Sequence, residues 1–149
     1  MNARTILLVE DNPSDIALTR RAFDKSRIGN PLIVCEDGQD ALDYLFAQGT
    51  HADRCKEQMP ALILLDINLP RLDGLSVLRQ IRENPLTRRL PVVILTSSTE
   101  QSDLAAGYDA GANSYIRKPV SFERFVDAIT QLGMYWLVIN EAPPKAETP

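Results

Sequence analysis

Five short apolar runs punctuate the chain: Thr5-Ile6-Leu7-Leu8-Val9, Leu32-Ile33-Val34-Cys35, Ala61-Leu62-Ile63-Leu64-Leu65, Pro91-Val92-Val93-Ile94-Leu95-Thr96 and the weaker Ser114-Tyr115-Ile116. The unalternating runs predict strands covered on both faces. Between them the apolar positions recur at helical spacing. Asn12 as cap and Pro13 in the first turn start a helix that runs to about Lys25, with Ile16 and Phe23 on one face. A second helix covers roughly Gln39 to Ala47, with Ala41, Leu42, Leu45 and Phe46 inward. A third covers Gly74 to Glu83, with Leu75, Leu78 and Ile81 inward, and Asn84-Pro85 stops it. A weaker fourth runs from about Glu100 to Ala110. The last starts near Ser121 and carries Phe122, Phe125, Val126, Ile129, Leu132, Gly133, Trp136 and Leu137 at one continuous 3.6-residue period. Gln48 to Pro60 has no clear periodicity and reads as a long surface loop. Strands alternating with helices imply a parallel sheet with helices on both faces, and right-handed crossovers leave few topologies. Residues 1–140 form one domain in this reading, and 141–149, with Pro143-Pro144, a loose Pro-rich tail.

In such sheets a ligand sits beyond the carboxyl ends of the strands. The residues there are Glu10 and Asp11 after the first strand, Asp66 after the third, Thr96 at the end of the fourth and Lys118 after the fifth. Three carboxylates at one sheet edge repel, and one is pushed towards protonation. A hard dication relieves that conflict, and Mg²⁺ suits carboxylate oxygens while keeping positions for a phosphate oxygen. The Thr96 hydroxyl and the Lys118 ammonium suit the remaining phosphate oxygens. One carboxylate can then act as nucleophile and form an aspartyl phosphate. Each residue taken alone has an ordinary reading: a solvated turn, a strand end, a helix cap, a loop. Together, four independent strand ends would all have to carry the right group by accident.

Composition narrows the class. A chain of 149 residues, 44% hydrophobic and 24% charged, is long enough for one sizeable core and has the balance of a soluble globular domain. The net charge of −4 and a pI near 5.0 argue against a nucleic-acid surface. No apolar run approaches the ~20 residues of a membrane helix. The N-terminus runs straight into the first strand, so no signal peptide is expected. Cys35 and Cys55 show no metal spacing and no paired framework, so the expected location is the reducing cytoplasm.

The motifs Leu7-Leu8-Val9-Glu10-Asp11-Asn12, Leu64-Leu65-Asp66-Ile67-Asn68-Leu69-Pro70, Leu72-Asp73-Gly74, Ile94-Leu95-Thr96-Ser97-Ser98, Gly111-Ala112 and Lys118-Pro119, in that order, resemble the response-regulator receiver family across roughly residues 4–139. The resemblance implies a flavodoxin-like doubly wound (βα)5 fold with a five-stranded parallel sheet in the order 2-1-3-4-5. It implies a two-component system in which Asp66 is phosphorylated by a histidine kinase. It implies that Asp11, Asp66 and the carbonyl of Asn68 bind Mg²⁺, with Glu10 acting through water, and that the Lys118–Pro119 peptide is cis. It also carries over a switch: Thr96 moves towards the phosphoryl group and Tyr115 fills the space beneath it. Asn68 and Ser98 are expected to tune the lifetime of the phosphoryl group by gating water. Gly107, inside the weak fourth helix, costs about 1 kcal/mol relative to Ala. It reads either as a softener of a mobile helix or as a residue that allows close packing.

The long loop before the third strand, the Ala41-Leu42-Asp43-Tyr44-Leu45-Phe46 helix and the Tyr135-Trp136-Leu137 ending resemble small receivers that partner phytochrome-type photosensor kinases. With only a short tail after the receiver, the expected output is through protein contacts or phosphate relay, with no enzymatic activity beyond self-phosphorylation and autodephosphorylation. Met134-Tyr135-Trp136-Leu137-Val138-Ile139 is apolar all round, which predicts a homodimer burying Tyr135, Trp136, Leu137, Val138 and Ile139; the alternative folds this segment back over its own domain. His51, in the loop, reads as solvent-exposed and without ligand partners, Cys55 as an idle thiol, and Arg20-Arg21 and Arg88-Arg89 as solvated pairs, although a kinase could dock at the former. Three other functions compete: a haloacid-dehalogenase-like phosphohydrolase, which lacks the second acid of its Asp-x-Asp motif here; a flavin carrier, which lacks its hydroxyl-rich phosphate loop; and an unphosphorylated scaffold receiver.

Overall fold

The computed structural model of the chain describes residues 4–55, 58–97, 100–118 and 121–144. Its elements in order are β1 (Ile6–Val9), α1 (Pro13–Lys25), β2 (Leu32–Cys35), α2 (Gly38–Leu45), β3 (Leu62–Leu65), α3 (Gly74–Glu83), β4 (Val92–Thr96), α4 (Gln101–Asp109), β5 (Ser114–Arg117) and α5 (Phe122–Gly133). The five strands are parallel in the order β2-β1-β3-β4-β5. The order reverses between β1 and β3, so a crevice opens beyond their carboxyl ends.

Because successive side chains of a strand point to opposite faces, each apolar run supplies two cores at once. Leu7, Val9, Ile63, Leu65, Val92 and Ile94 face one way, onto Ala41, Leu42 and Leu45 of α2 and Val77, Leu78 and Ile81 of α3. Ile6, Leu8, Leu62, Leu64, Val93 and Leu95 face the other way, onto Ala22 and Phe23 of α1 and Phe125, Ile129 and Leu132 of α5. Caps fix where the helices begin. The Asn12 side chain accepts from the N–H groups of Ser14 and Asp15 at 2.9 and 3.2 Å, Asp37 from Asp40 at 2.7 Å, and Asp73 from Ser76 at 2.9 Å.

Four details depart from the sequence reading. α2 stops at Leu45, and Phe46 caps it while packing against the core from the side. In α3 the fully buried positions include Val77, whereas Leu75 is half-buried. Within the expected loop, Gly49–His51 forms a 3-10 turn. The last helix is not one continuous α-helix: after Gly133 the backbone widens into a π-helix, Met134–Ile139, closed by Asn140 N–H donating to Tyr135 O at 2.6 Å. Gly133 packs closely on Ile28: a Cβ there would lie 2.5 Å from Ile28 Cδ1, so the end of that side chain would have to shift. The wide turn that follows keeps both Trp136 and Leu137 against the α1/α5 core.

One side chain gathers the opposite edge of the sheet. Arg82 of α3 donates to the carbonyls of Gly111 (2.8 Å), Arg88 (2.9 Å) and Leu90 (2.7 Å) and to Asn113 Oδ1 (2.8 Å). Asn113 Oδ1 also accepts from Val92 N–H at 2.8 Å. The amino ends of β4 and β5 are thereby tied to α3.

Candidate functional site

The site residues are delivered by strand ends. Backbone pairing carries β1 and β3 one residue beyond their bounds: Glu10 N–H donates to Cys35 O at 3.0 Å and Asp66 N–H to Val9 O at 3.1 Å. Glu10 and Asp66 therefore emerge side by side, 2% and 7% exposed. Lys118 N–H donates to Thr96 O at 2.8 Å, which sets Lys118 on the same edge. Thr96 is fully buried at the end of β4. Asp11 and Asn68 are exposed at the mouth.

The Lys118 ammonium is the hub. It donates to Glu10 Oε1, to Asp15 Oδ2 at 2.8 Å and to Asp66 Oδ2 at 3.2 Å. Asp15 was not among the residues singled out from the sequence. It lies in the first turn of α1, so the start of the helix places it beside the strand end that carries Glu10, within reach of Lys118. Asp66 keeps its second oxygen, Oδ1, on the N–H of Asn68 at 3.2 Å. Glu10 Oε2 accepts from Asn12 N–H at 3.3 Å.

Behind Asp66 the chain passes the start of α3 with no room to spare. Gly74 N–H donates to Ile67 O at 2.8 Å. A Cβ on Gly74 would lie 2.0 Å from the carbonyl oxygen of Asp66. Glycine is required there by close backbone approach. The backbone of the central acid is thus held from behind as well as from both flanks.

The electrostatics follow from crowding. Burial pushes the Glu10 carboxyl from 4.5 up to about 7; Lys118 opposes the rise and the charge of Asp66 adds to it. For Lys118, burial alone would lower the pKa, but hydrogen bonds to Asp15 and Glu10 and the charge of Asp66 outweigh it and hold the ammonium above its ordinary value. One cation thus serves three carboxylates, with Asp11 exposed beside them. This acid excess is a donor set a hard divalent cation fits: oxygen ligands, surplus negative charge and, at Asp11 and Asn68, residues open to solvent.

Of the other residues singled out, Tyr115 lies on β5, half-buried against the α2/α3 core, with its ring 6.4 Å from that of Tyr108 on α4. Gly107 makes that closeness possible. A Cβ on it would lie 2.6 Å from Ile94 Cδ1 and 3.2 Å from Tyr115 Cδ2, so close packing is its role. Trp136 and Leu137 are half-buried against their own domain, whereas Met134, Tyr135 and Ile139 are 54%, 48% and 65% exposed. The Val138 side chain, Ser98 and the Lys118–Pro119 peptide lie outside the described residues, as do residues 145–149 of the tail.

His51 is a correction. It is half-buried, its Nε2 lies 2.8 Å from Asp40 Oδ1, and its ring meets that of Tyr44 edge-on with centroids 5.3 Å apart. Left-handed backbone at Ala47 (φ 51°) and Gly49 (φ 59°) turns the loop back onto α2, which periodicity alone does not reveal.

Comparison with known proteins gives the family. Residues 6–130 match the response regulator receiver domain. The chain is 39% identical over 141 residues, 95% of its length and 88% of the relative's, to the probable methanogenesis regulatory protein FilR2 of Methanothrix harundinacea. It is 37% identical over 134 residues, 90% of its length and 89% of the relative's, to the response regulator Rcp1 of Synechocystis. Among solved structures, the phosphorylated cyanobacterial phytochrome response regulator RcpA superposes with a TM-score of 0.87 at 34% identity, covering 95% of this chain and 99% of that one. The bacteriophytochrome response regulator RtBRR superposes with a TM-score of 0.77 at 48% identity, covering 97% and 86%. Rcp1 in its Mn²⁺-bound form superposes with a TM-score of 0.84 at 35% identity, covering 95% and 99%. The phosphohydrolase alternative finds no support in these relatives. With its sheet order, its acid–lysine cleft and a family match over most of its length, the chain belongs to the response-regulator receiver family.

Proposed function

We propose that Asp66 is the phosphoacceptor of a two-component system and that Mg²⁺ is held beside it by Asp11, Asp66 and the Asn68 carbonyl, with Glu10 acting through water. The observation that carries this reading is the Lys118 ammonium in contact with Asp66 and Glu10 at the carboxyl ends of β1 and β3. Bound Mg²⁺ supplies charge neutralisation for the incoming phosphoryl oxygens.

The remaining work belongs to the chain. An Asp66 carboxylate oxygen attacks phosphorus, the bond from phosphorus to the kinase histidine nitrogen breaks, and the nitrogen keeps the electron pair. Lys118, already 3.2 Å from Asp66 Oδ2, follows the new negative charge, and the Thr96 hydroxyl takes another phosphoryl oxygen. As Thr96 is drawn in, Tyr115 occupies the space behind it, and the α4–β5 surface changes. The switch is supported by the contact of Gly107 with Tyr115, which couples α4 to the β5 ring.

The partner we infer is a phytochrome-type histidine kinase, because RcpA and RtBRR are phytochrome response regulators and the likeness covers 95% and 97% of this chain. The exposed Met134, Tyr135 and Ile139 support a homodimer built on the end of α5, with Trp136 and Leu137 bracing the segment from within. Acetyl phosphate with Mg²⁺ should raise the intact mass by one phosphoryl group, and Asp66→Asn should abolish the gain. A phytochrome-type kinase should transfer its phosphoryl group faster than an unrelated kinase. No mass change with any donor overturns the phosphoacceptor; equal rates from both kinases overturn the partner.

A further inference from the structure

On the flank of the sheet beside β1, a second group of ligand-type side chains converges. Cys35 ends β2, Asp40 stands in the first turn of α2, and His51 ends the 3-10 turn that the loop folds back onto that helix. Cys35 Sγ, a carboxylate oxygen of Asp40 and a ring nitrogen of His51 all lie within 4.8 Å of one another. Three separate elements supply them, so helical or strand periodicity does not force the meeting.

The chemistry of the trio is unlike that of the acidic cleft. A thiolate, an imidazole and a carboxylate form a mixed S, N, O set that suits a borderline divalent ion and not Mg²⁺, which takes oxygen ligands. Zinc bonds of about 2.3 Å to sulfur and about 2.0–2.2 Å to nitrogen and oxygen place tetrahedral ligand atoms some 3.3–3.7 Å apart, by the geometry of those lengths. The trio spans that separation, from 2.8 Å between His51 and Asp40 to at most 4.8 Å elsewhere, so modest rotations of the half-buried Asp40 and His51 side chains bring the three atoms to it.

Access and support are also in place. Cys35 is fully buried and forms the floor, whereas the His51 and Asp40 side chains are 28% and 34% exposed and form a wall open to solvent. The His51 ring is braced by Tyr44, and Tyr44 by the Arg54 guanidinium 4.2 Å above its ring. Arg54 Nε in turn donates to Tyr44 O at 2.8 Å.

We propose that Cys35, Asp40 and His51 form a second metal site, selective for Zn²⁺ or a similar borderline divalent ion, with a fourth position left to water. His51 binds through a ring nitrogen in its neutral form, giving up its hydrogen bond to Asp40. Burial, reinforced by Asp40, pushes the Cys35 thiol up and keeps it protonated in the metal-free chain. On binding, the S–H bond breaks, its proton leaves to solvent and the sulfur pair is donated to the metal; nothing is oxidised or reduced.

The test is titration of the whole metal-free chain with Zn²⁺, and with Co²⁺ as a spectroscopic substitute, in excess Mg²⁺ to saturate the acidic cleft. The expected result is one equivalent of Zn²⁺ retained against Mg²⁺, and a thiolate-to-cobalt charge-transfer band with tetrahedral ligand-field absorption. Cys35→Ser should remove the charge-transfer band. His51→Gln, which changes only a partly exposed side chain, should weaken Zn²⁺ binding by at least about tenfold, as loss of a ligand must exceed loss of an outer-shell partner. Cys55→Ser should change neither. Displacement of Zn²⁺ by Mg²⁺, equal binding by wild type and His51→Gln, or loss of the cobalt band in Cys55→Ser overturns the proposal.

Discussion

Replacing Lys118 with methionine keeps the length of the stem and deletes the charge that three carboxylates share. The cost is not spread evenly among them. Asp15 is 31% exposed and rehydrates. The Asp66 side chain, 8% exposed, keeps the Asn68 N–H. The Glu10 side chain, 3% exposed, is left with the Asn12 N–H at 3.3 Å and little access to water. Removing one partner of a buried pair costs about 3–5 kcal/mol. With a single carboxylate stranded, the lower end applies, and Lys118→Met should destabilise the Mg²⁺-free protein by about 3 kcal/mol at pH 7.5. The sign of its pH dependence follows from Glu10. Its folded pKa of about 7 stands above the ordinary 4.5, so between those values the folded chain holds a proton that the unfolded chain has released. Stability from this group is present below 4.5 and is lost as pH rises through 7; without Lys118 the pKa climbs further. At pH 5 Glu10 is neutral in both proteins, and because the wild-type group itself sheds its proton only near 7, linkage lets the penalty fall by less than about 1 kcal/mol between the two pH values, to about 2 kcal/mol. Urea unfolding followed by circular dichroism at the two pH values measures both numbers. A penalty that is the same at pH 5 and pH 7.5, or under about 1 kcal/mol at both, refutes the claim that a stranded carboxylate sets the cost.

Gly74→Ala forces a Cβ to within 2.0 Å of the Asp66 carbonyl oxygen, so backbone must move. We expect a loss of about 3 kcal/mol in urea unfolding, the upper range for overpacking, with slower phosphoryl uptake from acetyl phosphate because Asp66 is displaced. Mg²⁺ competes with the proton on Glu10, so affinity measured calorimetrically should rise by up to about tenfold per pH unit below 7 and level off above it. Ile139→Arg, at a position 65% exposed, should leave stability within about 0.5 kcal/mol while shifting gel filtration from dimer to monomer. Trp136→Ala, in contrast, should cost about 3 kcal/mol of monomer stability, since its ring packs on the α1/α5 core.

Where local chemistry dictates structure, the sequence was readable. The apolar runs gave all five strands, and Asn12-Pro13 gave the start of α1, because caps and unalternating strands are short-range signals. Glu10, Asp66, Thr96 and Lys118 were legible because a parallel sheet delivers strand ends to one edge whatever the details of its helices. Asp15 was missed because its role depends on the direction in which α1 leaves that edge. His51 was misjudged because its pairing with Asp40 is created by two left-handed residues in a loop without periodicity. The π-helix after Gly133 was hidden because an α period and a wider one both place Trp136 and Leu137 near the core.

The Arg82 clamp has a mechanical consequence. It ties Gly111, Leu90 and Asn113, hence the amino ends of β4 and β5, to the far end of the helix whose first residue, Gly74, backs Asp66. Thr96 and Lys118 sit at the far tips of those same strands. The β3 ladder holds β4 only as far as Ile94, so Arg82 and that ladder together anchor the heel of the β4–β5 pair and leave Leu95 and Thr96 to β5 alone, which makes the tip the segment least restrained by the rest of the sheet.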